Sequence, residues 1–297
     1  MWTLLLIAGA FAADDAPTAR SSAMGASRVA LPHDNATVAA SPGLAGLYDR
    51  FDIHAAGGLG PSGGLHWSAS AIDSHTSKFI AIGFAYAGDR YEPEFRASEL
   101  PGWTPKRIEP TNVKRYHDLS LVAGLPLLNR RMCIGVGGTW SMYNHDAQGQ
   151  GASGDLDVGI GANPVDDLTL AVVAEHLLPG DPTGDRPFGV AGGAAYGNTG
   201  PVIATAEAGW TDGVASPWSF GGGLEGVAGG GRVRAGARHN GPAIGPSTWV
   251  TWGVAIANES SEFGYAMRIP TDAGSDTARS IVHTLGIQFA APRIDTD

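Results

Sequence analysis

From residue 48 onward, apolar side chains alternate with small or polar ones in runs of about ten residues, each closed by turn-forming residues. Over 116–127 the apolar positions are Leu119, Leu121, Ala123, Leu125 and Leu127, interleaved with Ser120 and Gly124. Over 132–143 they are Met132, Ile134, Val136, Trp140 and Met142, against Gly135, Gly137, Thr139 and Ser141. Residues 154–162 and 168–175 repeat the pattern with Leu156, Val158 and Ile160, then Leu168, Leu170 and Val172. Successive side chains of a strand point to opposite faces, so this period of two predicts amphipathic strands. Fourteen are expected, near 50–59, 63–72, 78–88, 116–126, 131–143, 153–162, 167–177, 187–196, 201–211, 217–227, 231–239, 247–257, 261–269 and 280–290. An even number suits a single-chain bacterial barrel.

The connections sharpen this expectation. Those after even-numbered strands are short, at 73–77, 127–130, 163–166, 197–200, 228–230 and 258–260. Those after odd-numbered strands are mostly longer: 89–115 above all, then 144–152, 178–186, 240–246 and 270–279; the first hairpin, turning at 60–62, is the exception. Short periplasmic turns alternating with longer outer loops characterise outer-membrane barrels. Trp140, Trp210, Trp218 and Tyr86 fall near the loop-side ends of their strands, where an aromatic girdle belongs. Opposite the apolar positions lie Asp52, His54, His66, Asp157, Glu175, Glu207, Glu225, Arg232, Arg234, Arg238 and Arg268. A charge at mid-bilayer on the lipid face costs about 2–4 kcal/mol, so these residues are expected to line the lumen. A soluble sandwich or propeller would instead bury the apolar face in a core, but it does not account for the loop asymmetry.

Composition agrees. Only 16% of the 297 residues are charged, against about 25% in soluble domains. A net charge of −10 lacks the basic footprint of a nucleic-acid binder. Cys133 is the single cysteine, which rules out an intrachain disulfide or a cysteine-based zinc cluster. Residues 2–13 are apolar and Ala10-Phe11-Ala12 fits a small-x-small cleavage pattern, so residues 1–12 read as a signal peptide, too short for a transmembrane helix. The expected organisation is this signal peptide, an N-terminal plug over 13–47, a transmembrane β-barrel over 48–290 and a polar tail over 291–297, with both termini periplasmic.

Residues 13–47 lack the strand rhythm, are rich in Ala, Gly and Ser, and carry Pro32 and Pro42 as breakers. Segments 22–30 and 36–40 are the candidate short helices, and a compact, small-residue segment ahead of a barrel suits a plug; a periplasmic leader is the plainer alternative. Here Ala23-Met24-Gly25, Asp34-Asn35-Ala36 and Ser41-Pro42-Gly43-Leu44-Ala45 resemble the N-terminal region of the FadL/TodX outer-membrane transporters and their PorV-like relatives. In those proteins a Met-Gly segment and an Asp-Asn-Ala … Asn-Pro-Ala-Gly-Leu pattern precede the first strand. The block 154–177 is similar to the PorV-like hairpin, and 283–289 to the final strand of that group. Ser41 stands where the family has asparagine, and Gly43 where it has alanine. The resemblance implies hatch or gating roles for Met24, Gly25, Asn35, Ser41, Pro42 and Gly43.

No nucleophile motif stands out, and no enzymatic activity, cofactor or metal is expected. His283, in the apolar register near Ser280, is read as an interfacial side chain rather than part of a lipid hydrolase. His54 and His66 lie on neighbouring strands, and lumen hydrogen bonding is favoured for them over metal binding. The acidic residues of 178–186 lack calcium-loop spacing. Arg232-x-Arg234-x-x-x-Arg238 places three guanidinium groups on one face, either to anchor a carboxylate or plug carbonyls, or to form an ion network with Glu207 and Glu225. Three readings remain open: a FadL-like barrel admitting small hydrophobic molecules (fatty-acid-like or aromatic), a PorV-like secretion accessory with a protein partner, and a structural barrel with a closed lumen. All three place the protein in the bacterial outer membrane, with lipid around it.

Overall fold

The computed structural model describes residues 18–25, 27–60, 64–91, 114–145, 149–178, 187–198, 200–212, 217–240, 248–271 and 281–290. The segment expected as a signal peptide, most of the segments expected as outer loops (92–113 and 179–186 among them) and the expected C-terminal tail lie outside these residues.

The chain forms a closed antiparallel barrel of fourteen strands in sequential order, the last pairing with the first. The first seven strands are β1 (Phe51–Leu59), β2 (Leu65–Asp73), β3 (Ala81–Tyr91), β4 (Lys114–Leu127), β5 (Met132–His145), β6 (Gly149–Val165) and β7 (Leu168–Glu175). The remainder are β8 (Gly189–Tyr196), β9 (Val202–Thr211), β10 (Trp218–Ala228), β11 (Gly231–His239), β12 (Thr248–Ala257), β13 (Ser261–Pro270) and β14 (Val282–Ala290). Closure matters because apolar surroundings offer nothing to an unpaired strand edge; β1 and β14 meet in register from Asp52↔Ala290 to Leu59↔His283.

Alternation sorts the side chains as expected. Leu121, Ile134, Val136, Ile160 and Val172 are exposed on the outer face, while Asp52, His54, Asp157, Glu207, Glu225 and Arg234 are buried inside. Trp140 and Trp218 are exposed on the outside, as a girdle requires. Trp249 is 7% exposed and faces inward, beneath the Arg268 guanidinium, 5.7 Å from its ring centroid.

Two strand ends differ from the periodicity. The stretch 144–152, expected as a loop, is largely β-structure, because β5 runs to His145 and β6 begins at Gly149. Its Gly- and Gln-rich residues carry no apolar alternation, and the ladder to β5 (His145↔Gly149) holds them. At the other end of β6 the pairing with β7 slips between Ala162 and Val165, a bulge that carries the strand past the expected turn at 163. The wall is uneven: β6 is 17 residues long, while β7 and β8 have 8 each.

Residues 18–47 lie inside the barrel and are almost wholly buried. Helix α1 (Ala19–Ala23) packs against β11–β14, α2 (Thr37–Ala40) against β2–β5, and a 3-10 turn at Pro42–Leu44 against β4–β7. The first helix therefore precedes the expected 22–30. Thr18 caps it: Thr18 Oγ1 accepts from Ser21 N (2.9 Å) and Ser21 Oγ accepts from Thr18 N (3.1 Å), a reciprocal pair that fixes the start.

Leu121→Arg, at mid-height on the outer face, is expected to lower unfolding free energy in lipid vesicles by about 2–4 kcal/mol. Urea titration followed by tryptophan fluorescence measures this; no change would mean that this face does not contact lipid.

Candidate functional site: the plugged lumen

The plug is held by charge on one side of the barrel and by small apolar contacts on the other. On the charged side, Arg20 of α1 donates through Nε and Nη2 to the Glu225 carboxylate at 3.0 and 2.9 Å. Arg234 Nε donates to the same carboxylate at 2.5 Å, and Arg232 Nη1 lies 3.5 Å from it. Glu262 on β13 pairs with both, 2.6 Å from Arg234 Nη2 and 3.2 Å from Arg232 Nε. Arg20 also donates to the Pro32 carbonyl at 2.5 Å, folding the plug back on itself. Burial works to lower the pKa of Arg20, but Glu225 and Asp34 outweigh it and raise the value, so the cation persists inside the barrel.

Farther from the turn end, Glu207 accepts from the backbone N–H groups of Arg28 and Val29 at 2.9 and 3.0 Å, while Arg238 Nη1 lies 3.4 Å away. Arg28 pairs with Glu175 at 3.6 Å. Of the two readings of the arginine strand, the ion network matches this geometry. The expected polarity toward the plug is reversed: a wall carboxylate receives plug amides, and a plug arginine reaches a wall carboxylate.

The residues expected to form a hatch are all buried. Met24 and Gly25 are stapled by Thr251, whose Oγ1 accepts from Gly25 N (3.0 Å) and donates to the Ala23 carbonyl (2.8 Å). Gly25 has φ +71°, and a Cβ there would lie 2.4 Å from the Gly222 carbonyl oxygen and 2.5 Å from that of Ala237. Only glycine fits both constraints. Asn35 Oδ1 accepts from Arg50 Nη1 at 3.4 Å, and Arg50 also reaches Asp52 (3.2 Å), the Asp34 carbonyl (3.3 Å) and Thr37 Oγ1 (3.0 Å). Asp34 accepts from Thr18 Oγ1 at 2.9 and 2.8 Å and from Ala36 N at 2.7 Å. Ser41, Pro42 and Gly43 press on the β5–β6 wall, where a Cβ on Gly43 would lie 2.5 Å from the backbone of Ile160. The Ser41 hydroxyl is buried without a hydrogen-bond partner among the described residues.

The other side is apolar. Val38, Ala39 and Ala45 of the plug pack on Ile72, Ala81, Ala85 and Val122; Val29, Ala30, Leu44 and Leu47 pack on Cys133, Ala171, Val173 and Ala191. At the turn end, Tyr48 bonds to Thr169 and Asn163, and Arg130 Nη1 donates to the Gly46 carbonyl at 3.2 Å, so the plug leaves through a clamped floor.

The remaining expected site residues are placed singly. His54 pairs in register with Ser70, four positions along β2 from His66, about 13 Å at strand rise, so the two imidazoles do not share a ligand. His66 Nε2 instead lies 3.2 Å from Thr284 Oγ1. His283 faces outward against Tyr265, with Nδ1 2.7 Å from the phenol oxygen; Ser280 lies outside the described residues. One cluster was not anticipated: ligand atoms of Asp155, Asp157 and His176 lie within 4.8 Å of one another, near enough for one cation. His176 also bonds to both aspartates, through its backbone N–H to Asp157 (2.9 Å) and its ring to Asp155, so the cluster is coherent without an ion.

Arg20, Arg28, Asp34, Arg50 and Glu262 were also missed. The plug residues have no periodicity to mark them, and only the partner reveals their role.

Glu225→Gln is expected to cost about 3–5 kcal/mol, because it strands Arg20 and Arg234 in a buried site. Glu207→Ala should cost less, since Arg238 keeps Asn240 at 2.7 Å. Guanidinium unfolding midpoints in detergent would show the ranking, and equal midpoints would contradict it. Gly25→Ala should likewise lower the midpoint, whereas Ala39→Gly in α2 should lose only about 1 kcal/mol.

No protein-family model matches the chain, and no curated protein sequence matches it. Solved structures do. The toluene transporter TbuX of Ralstonia pickettii aligns with a TM-score of 0.61 at 13% identity, over 94% of this chain and 97% of that one. The toluene transporter TodX of Pseudomonas putida gives 0.64 at 10% identity, over 93% and 98%. A FadL homologue of Pseudomonas aeruginosa gives 0.57 at 11% identity, over 92% and 97%. With its fourteen strands and an N-terminal segment folded in the lumen, the chain has the fold of the FadL- and TodX-type outer-membrane barrels.

Proposed function

We propose that this protein is an outer-membrane channel for small hydrophobic molecules, fatty-acid-like or aromatic, with residues 18–47 as its hatch and the turn end in the periplasm. The observation that carries this reading is the two-sided lumen. Buried ion pairs tie the plug to β9–β13, and a charge pulled from its partner in a low-dielectric interior is costly, so that side stays fixed. The contacts of α2 and the 3-10 turn with β2–β7, and of Ala30 with β8, are methyl against methyl or backbone against glycine. An apolar solute can replace such contacts with its own at little net cost, while an ion or sugar cannot. The permeation path therefore runs along the seam between the plug and β2–β8, which the Arg28–Glu175 pair crosses at the end of β7. TbuX and TodX, whose structures share this fold, are toluene transporters, in keeping with an apolar cargo.

A second reading has its own support. A lumen spanned by Arg–Glu pairs also suits a barrel that stays shut and serves the membrane structurally.

One experiment separates them. A Cβ on Gly193 would lie 3.1 Å from Ala30 Cβ, a few tenths of an ångström closer than a disulfide needs, so a small outward shift of the plug accommodates the bond. In a Cys133→Ala background, Ala30→Cys with Gly193→Cys should stop uptake of a hydrophobic dye by proteoliposomes under oxidising conditions, with recovery on reduction. Deletion of residues 18–47 should raise nonspecific permeability. If the uncross-linked barrel takes up no dye above empty liposomes, the channel reading fails and the closed barrel stands.

A further inference from the structure

On the outer face, near the loop end of β2–β4, a cluster of polar and aromatic side chains interrupts the apolar belt. Trp67, Gly88 and His117 lie in one register row across three strands. Gly88 leaves that row open, and the Trp67 indole lies over it: a Cβ there would meet the ring at 2.5 Å. The indole so placed reaches toward the His117 ring, with centroids 6.2 Å apart. Tyr86 stacks on the other side of His117 at 6.1 Å, and its hydroxyl is 2.7 Å from His117 Nδ1. The bond to Tyr86 occupies Nδ1, and Nε2 has no partner among the described residues; in the tautomer where the phenol donates, the imidazole proton sits on Nε2. Two positions farther toward the loops on the same face of β4 is Arg115, exposed and without an ion-pair partner among the described residues. Arg115 is paired in backbone register with position 90 of β3, at the loop end of the ladder.

A cation on a lipid-facing surface is inexpensive only near the interface, where it can meet phosphate. A fixed N–H donor beside it, framed by two aromatic rings, is the arrangement that receives one phosphate oxygen at the imidazole and others at the guanidinium. We infer that Trp67, Tyr86, Arg115 and His117 form a site for the phosphate of an outer-leaflet phosphoglycolipid, holding one lipid against β2–β4. The occupant is the phosphoryl headgroup of a membrane lipid. Its depth follows from the strand positions, and its acyl chains continue over exposed Leu119 and Leu121.

The barrel carries its own comparison. Tyr265 and His283 form the same phenol–imidazole bond at 2.7 Å with Trp252 beside them, also facing outward. No arginine or lysine accompanies them on that face among the described residues. That second cluster is a plain interfacial girdle and selects no phosphate.

The inference rests on the reading of this protein as an outer-membrane barrel with its loops outward. The test uses the full mature barrel in detergent, mixed with diphosphoryl lipid A, with its enzymatically dephosphorylated form, or with inorganic phosphate. Retained lipid is read by native mass spectrometry and protection by the thermal unfolding midpoint. The native protein and His283→Gln should retain the diphosphoryl lipid alike, while Arg115→Gln and His117→Gln retain it about tenfold less, the loss of one charge-assisted hydrogen bond. Equal retention by all four proteins would overturn the site. So would equal binding of the dephosphorylated lipid, which would mean acyl contact alone, or equal protection by inorganic phosphate, which would mean a free-anion site. A barrel that fails to insert into bilayers would remove the underlying reading instead, a result that liposome flotation separates from the other outcomes.

Discussion

A wall that faces lipid must turn its charges inward, and that constraint is most concentrated at the Glu225 carboxylate. It is fully buried, and three guanidinium groups converge on it: two from the adjacent strand and one from the plug. Each pairing relieves part of the desolvation that the others would otherwise suffer, so none of the four groups is tolerable alone. The sharing has an architectural effect. Arg20 makes the plug a necessary component of the wall's own charge balance, and the Glu262 carboxylate extends the same network one strand beyond β12. Plug and barrel are therefore one electrostatic unit on this side.

The opposite side is organised by volume. Plug backbone meets wall glycine and alanine closely enough that an added methyl has nowhere to go at Gly43 of the plug or Gly135 of β5. Such contacts are dense but individually weak and carry no directional bond. A segment with directional anchors along one edge and nondirectional packing along the other has an unequal resistance to displacement, and the weaker edge is where motion begins.

The strands were legible because alternation is a local property: Leu121 and Ser120 announce their faces regardless of which strands lie beside them. What stayed hidden is everything that depends on a partner. The arginines at 232, 234 and 238 could be assigned to the lumen, but Arg20 could not be matched to Glu225 across 205 residues of sequence. His54 and His66 shared a face on neighbouring strands, yet the register set them four positions apart. The 149–152 end of β6 was invisible because its glycines carry no pattern and only the ladder to β5 holds them. In the plug, the Met24-Gly25 and Ser41-Pro42-Gly43 motifs marked the places of closest backbone approach, while its charged residues carried no signal.

The order of the chain gives Glu225 a meaning in time as well as in space. The plug is synthesised first, yet its principal counter-charge is on the tenth strand, and the helix that bears Arg20 rests on strands later still. Until those strands arrive, the N-terminal segment has no home for its cation and must remain solvated. The seal is thus completed only as the cylinder closes, and a chain stalled halfway through membrane assembly holds an unfinished sheet with its stopper still outside the bottle.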